Sequence, residues 1–127
     1  MRATHIFPDL SVPDIGEARE FYADYLGLSE EQINMDWVTR FLSPDGQAVV
    51  QLVTNDATAP HNAVISATVG DDVEAAYDEA KRRGYEIVHP LTTEPWGIRR
   101  FLVRAPDGNV VNVNSHQDVD DAGGSVQ

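Results

Sequence analysis

The side chains able to hold a metal ion or move a proton are few and scattered. His5, His61, His89 and His116 are the only imidazoles, and there is no cysteine, so thiolate chemistry and disulfides are excluded. His5 and His116 fall on strand faces of mixed polarity, with Asp9 near the first of them. Two imidazoles and a carboxylate are donors that suit a divalent ion, and either histidine could act as the base of a metal-free catalyst. Two histidines on a rim is the plainer reading. His61 and His89 fall in or beside loops and read as solvated. Ser11 and Ser66 lack the strand-to-helix elbow that exposes a nucleophilic serine. Arg99 and Arg100 are consecutive on a strand and must point to opposite sides of it. One can face a cleft and meet an anionic ligand group while the other pairs with surface carboxylates, and the residues leave open which. Arg40 can do the same from the first half of the chain, with a structural salt bridge as the alternative for all three.

The elements that must position these residues occur twice. Thr4 to Val12 alternates, with His5, Phe7, Asp9 and Ser11 on one face and Ile6, Pro8 and Leu10 on the other; Pro8 hints at an edge strand or an interrupted ladder. Asp14 is a helix N-cap candidate with Glu17 in capping-box position, and Ile15, Ala18, Phe21, Tyr22, Tyr25 and Leu26 keep one helical face up to Gly27. The polar run Ser29 to Gln32 precedes a short second strand within Ile33 to Val38, and a third strand covers Thr39 to Ser43. A Pro44-Asp45-Gly46 turn leads to a fourth strand through Val53, and Thr54 to His61 is a turn-rich linker. The plan then restarts. A strand from Asn62 to Val69 is followed by Asp71-Asp72 capping a helix with Val73, Ala76, Tyr77 and Ala80, then a strand from Tyr85 to His89 and a loop from Leu91 to Gly97. A hairpin through Pro106-Asp107-Gly108 closes the unit. Each half therefore reads β-α-β-β-β. The expectation is a single α+β domain over 1–116, made of tandem units at about 4–54 and 62–116, with 117–127 an acidic, disordered tail.

A chain of 127 residues, 42% hydrophobic and 24% charged, is one ordinary globular domain by these priors. The formal charge of −12 argues against a nucleic-acid partner, whose phosphates call for clustered Lys and Arg, and weakly favours cationic ligands. No apolar run reaches membrane-spanning length and no export leader is visible, so the expectation is a cytoplasmic protein with no membrane partner. The mixed strand faces, with Phe7, Gln51, Val64, Ser66, Asn112 and Asn114 among them, would turn inward if two curved sheets carried their helices outside. An apolar cleft with a few amides and hydroxyls is what small-molecule sites look like, a wet sheet face being the alternative.

The duplication, the helix from Asp14 through Phe21-Tyr22 to Leu26-Gly27-Leu28, and Pro106-Asp107-Gly108-Asn109 together resemble the vicinal oxygen chelate superfamily, which includes glyoxalase I, extradiol dioxygenases and bleomycin-resistance proteins. The resemblance implies tandem βαβββ repeats forming a curved mixed β-sheet cup. Enzymatic members bind a divalent metal at inward positions of the first, fourth, fifth and eighth strands. Those positions correspond here to Phe7, Gln51, Val64 and Asn112, none of them His, Asp or Glu. The resemblance thus implies no metal cofactor and no metal chemistry, unless displaced ligands such as His5 and His116 restore a glyoxalase- or dioxygenase-type enzyme.

The bleomycin-resistance branch is similar in its first-strand proline, here Pro8, and in Pro95-Trp96-Gly97. That likeness implies a homodimer with N-terminal strand exchange near Pro8 and ligand clefts walled by Trp96 and Trp37. The implied activity is sequestration of a cationic aromatic antibiotic, since aromatic faces stack on flat heterocycles and attract cations. The fifth strand, Val64 to Thr68, lacks the tryptophans those binders carry there. The expected ligand-binding set is Phe7, Trp37, Gln51, Val64, Trp96, Arg99, Asn112 and Asn114.

Overall fold

Two half-sheets joined through their first strands make up the architecture, in a computed structural model that describes residues 2–31, 33 and 35–116. The elements are β1 (His5–Ser11), α1 (Ile15–Arg19) running into a π-helical segment (Glu20–Tyr25), β2 (Ser29–Glu31), β3 (Val38–Leu42), β4 (Val49–Val53), β5 (Ile65–Thr68), α2 (Val73–Arg82), β6 (Glu86–Thr93), β7 (Ile98–Arg104) and β8 (Val110–His116). The strand order β2-β3-β4-β1-β5-β8-β7-β6 is the same series read outward from the middle in both directions. In each half the first strand is parallel to the fourth, and the remaining neighbours are antiparallel. The expected α+β duplication is the fold. The tail expectation for 117–127 lies outside the described residues.

The halves join antiparallel, β1 on β5. Residues His5 to Pro8 pair with β5, whereas Asp9 to Ser11 pair with β4. Pro8 lacks an N–H and sits at this change of partner, in a central strand and not at an edge. The two Pro-Asp-Gly turns are equivalent. Gly46 and Gly108, at φ of 73° and 95°, donate their N–H to Ser43 and Ala105 at 2.8 Å in each case. A side chain at either position would strain that backbone.

The helices differ between the halves. In α2, Val73, Ala76 and Ala80 are buried against Val69, Phe101 and Val113, as the spacing predicts. Asp72 occupies its N-cap without a side-chain cap bond. In the first half Asp14 does cap, its Oδ1 accepting from Gly16 N at 2.9 Å. The helical face expected from Ile15 to Leu26 is not buried: Phe21, Tyr25 and Leu26 are 50, 76 and 49% exposed. The cause is the π turn, marked by Leu26 N donating to Phe21 O at 3.0 Å, which rotates a face counted at 3.6 residues per turn away from the sheet. Tyr22 still stacks on the fully buried Phe41 of β3, with ring centroids 5.9 Å apart.

Two strands lie elsewhere than expected. The second strand is the polar Ser29–Glu31, since an edge strand tolerates charge when it is answered. Glu30 accepts from Arg19 at 2.6 and 2.9 Å and from the Thr39 hydroxyl at 2.7 Å. Strand β6 runs on to Thr93 through register shifts, with Pro90 tolerated because β6 is the outer strand of its half.

Candidate functional site

The curl of the two half-sheets leaves a cleft of about 420 Å³, lined from β1, β3, β4, β5, β7 and β8 and from the segments around Trp37, Asp56 and Trp96. Its volume is that of a pocket for a small organic molecule. Alternation decides which residues reach it. His5, Phe7 and Asp9 of β1, Val49, Gln51 and Val53 of β4, and Asn112, Asn114 and His116 of β8 all line it, as the mixed faces predict.

Across the floor, Phe7 lies opposite Ser66, and Ser66 opposite Asn112; one step along, Asp9 lies opposite Gln51, and Gln51 opposite Arg40. This register puts a chain of polar groups under the cleft. Ser66 Oγ donates to Asp9 Oδ2 at 2.6 Å, and Gln51 Nε2 donates to Asp9 Oδ1 at 3.0 Å. Gln51 Oε1 accepts from Arg40 at 3.0 and 3.3 Å, and the Arg40 guanidinium lies 5.1 Å from the Phe7 ring centre. Asn112 Nδ2 donates to Ser66 Oγ at 3.3 Å, while Asn112 Oδ1 is buried and has no partner. Burial pushes the Asp9 carboxyl up to about 6, against the hydrogen bonds from Ser66 and Gln51 and the charge of Arg40.

The aromatic wall joins the two repeats. Trp37 and Trp96 meet edge to face, with centroids 5.3 Å apart, and Arg100 lies 5.4 Å from the Trp96 ring centre. Arg100 is 3% exposed; it donates to both oxygens of Asp56 at 2.7 and 2.8 Å and to Glu94 at 2.8 Å. Burial works to raise both carboxyls, yet Arg100 holds Asp56 and Glu94 below their usual range. Linker, loop and β7 are clamped together by this one guanidinium.

Several sequence expectations need correction here. Arg99 points outward, bonding Glu74 of α2 at 3.2 Å and Thr93 at 2.9 Å, and Arg100 takes the inner side. Val64 is 43% exposed and outside the lining, because β5 begins only at Ile65; the inward residue opposite Phe7 is the buried Ser66. His89 is buried, its Nε2 lying 2.9 Å from Glu94, and is not solvated. Of the expected set, Phe7, Trp37, Gln51, Trp96, Asn112 and Asn114 line the cleft. Alternation already put Ser66 on an inward face and left the choice between Arg99 and Arg100 open, but neither Ser66 nor Arg100 entered the expected ligand-binding set; the β5–β8 register and the Asp56 carboxylate single them out, and both are tertiary signals.

The residues present do not fit a catalytic metal. Phe7 offers no donor atom, and Gln51, Ser66 and Asn112 offer only neutral ones, which hold a transition ion poorly. The displaced set does not assemble either. His5, His116 and Asp9 all line the cleft, but they are not grouped as a ligand set. Among the described residues no three His, Cys, Asp or Glu side chains are grouped to hold an ion. Burial lowers the His116 pKa, with Arg40 and His5 adding to the effect.

Residues 2–113 match the model of the Glyoxalase/Bleomycin resistance protein/Dioxygenase superfamily. The chain belongs to that superfamily. Glyoxalase-superfamily structures share its topology at low identity. A Vibrio splendidus 12B01 superfamily member aligns with TM-score 0.67 and 18% identity, over 87% of this chain and 97% of that one. The structure titled NAD-dependent benzaldehyde dehydrogenase from Legionella pneumophila aligns with TM-score 0.72 and 16% identity, over 89% and 100%. The Mn(II)-bound glyoxalase from Novosphingobium aromaticivorans aligns with TM-score 0.63 and 18% identity, over 90% of this chain and 37% of that one. At such identities the likeness is one of fold. No curated protein matches the chain. Among the described residues no helix is long and apolar enough to cross a membrane.

Proposed function

We propose that this superfamily member binds a small organic molecule in the cleft between its repeats without a metal of its own, and that a cationic aromatic compound of the antibiotic type is the ligand class. The observation that carries the reading is the donor set on the floor. Phe7, Gln51, Ser66 and Asn112 stand together there, a set poor in the donors that a Lewis-acid metal needs, which supports the reading of a polar-edged apolar pocket. Trp37 and Trp96 add aromatic surface to its wall, each face worth about 0.5–2 kcal/mol to a cation. Elemental analysis after incubation with zinc, nickel, manganese or iron, paired with a bleomycin titration followed by tryptophan emission, tests the reading. Drug binding with no retained ion supports it. A stoichiometric ion lost on His5→Ala or His116→Ala turns the protein into a metalloenzyme with displaced ligands.

The same reading includes a homodimer, with β1 exchange at Pro8 as one form of it. Its support is apolar surface: Ile6 and Leu10 of β1, with Phe21, Tyr25 and Leu26, are between 39 and 76% exposed in the single chain.

A further inference from the structure

Among the described residues three carboxylates are withdrawn from water, and two of them have a counter-charge. Asp56 and Glu94 share Arg100, at 2.7 and 2.8 Å. Asp9, 5% exposed, is the exception: among the described residues it makes no ion pair. Its oxygens accept only from the Ser66 hydroxyl and the Gln51 amide. Buried charge is ordinarily paired, because leaving water without a partner is costly. Hydrogen bonding within the fold does not call for the charge, since an asparagine offers an acceptor to Gln51 and a donor to Ser66. An ionised carboxylate has about four acceptor positions, of which two are used. Asp9 lines the cleft with that capacity left over.

The other charged groups around the cleft are already answered. Arg40 stands behind Gln51, stacked on Phe7, with Glu31 3.4 Å away, and the Asp56 carboxylate is neutralised by Arg100. His5 and His116 share the cleft, and burial favours the neutral form of His116. Asp9 is thus the one anion of the lining with no positive partner among the described residues, in a cleft that Phe7, Trp37 and Trp96 also line.

Resting on the reading of the cleft as a small-molecule site, we propose that Asp9 is its cation anchor: the ligand carries an alkylammonium or amidinium group that occupies the open acceptor positions of Asp9 while its aromatic part lies against Phe7, Trp37 or Trp96. This makes Asp9 the residue that sets the charge specificity of the cleft.

Both tryptophans of the chain line the cleft, so intrinsic emission reports binding there directly. Folded wild-type and Asp9→Asn protein are titrated with phenethylammonium and with its neutral counterpart 2-phenylethanol. Wild type is expected to prefer the ammonium by about tenfold or more, the scale of one charge-assisted hydrogen bond, and Asp9→Asn to bring the ratio within about twofold. Asp9→Ser, uncharged and small, serves the same comparison if the asparagine variant does not fold. A wild type that does not discriminate, or a preference that survives the substitution, overturns the anchor while leaving the small-molecule reading in place. If neither probe perturbs the emission of wild type, that reading falls and the anchor falls with it.

Discussion

Ser66 and Gln51 give Asp9 two hydrogen bonds from neutral donors, and burial outweighs both, which places its pKa at about 6. The sign follows from linkage. The folded state holds this proton more tightly than the unfolded chain, so folding stability falls as pH rises through the window from about 4 to 6. Above that window the cost is constant, at about 3 kcal/mol. Asp9→Asn removes the titration, and urea unfolding of the two proteins across pH is expected to show stabilities that diverge by about 2–3 kcal/mol in that interval. A difference that stays flat with pH would mean that Asp9 does not titrate there. At this scale the sequence was a fair guide to faces and a poor one to neighbours. Period-two alternation was enough to turn Phe7, Gln51, Asn112 and Asn114 inward. It was not enough to separate Arg99 from Arg100, a choice made by Asp56 and Glu94 from other segments, nor to see that alternation in β5 starts after Val64.

The Arg100 cluster belongs to the scale of elements, because it fastens the inter-repeat linker and the Trp96 loop to β7. Replacing Arg100 with Met leaves Asp56 and Glu94 buried without their cation, and a loss of about 3–5 kcal/mol in unfolding free energy is expected. Arg100→Lys keeps the charge but not the fork that reaches both Asp56 oxygens, so it should recover only part of that loss. Trp96 rests on the same guanidinium, and its emission should shift to the red in Arg100→Met. Unchanged stability and emission would remove the clamp from the account. Both Pro-Asp-Gly hairpins, α2 and the repeat itself were legible because their signals are local. Strand β2 and the π-helical segment were not. The first depends on Arg19 and Thr39 answering Glu30, and the second abandons the 3.6 period on which the helix was read.

For the whole molecule, the two halves repeat one topology but do not bury equal surfaces. Helix α2 covers its half-sheet, whereas the first half leaves Ile6, Leu10, Phe21, Tyr25 and Leu26 exposed. A second copy of the chain is the proposed cover, and sedimentation is expected to show a dimer that Tyr25→Glu with Leu26→Glu converts to monomer. A wild-type monomer at high concentration would reject it. The fold was readable from the duplication, and membership of the superfamily follows from a match that spans both repeats. Function was less readable, because what distinguishes this cleft is the residues that replace metal donors and the partners they find across strands. The most direct test is the tryptophan emission of metal-stripped protein titrated with phenethylammonium, before and after addition of zinc or manganese. The same saturable change is expected in both cases. A change that develops only once the ion is present would contradict it.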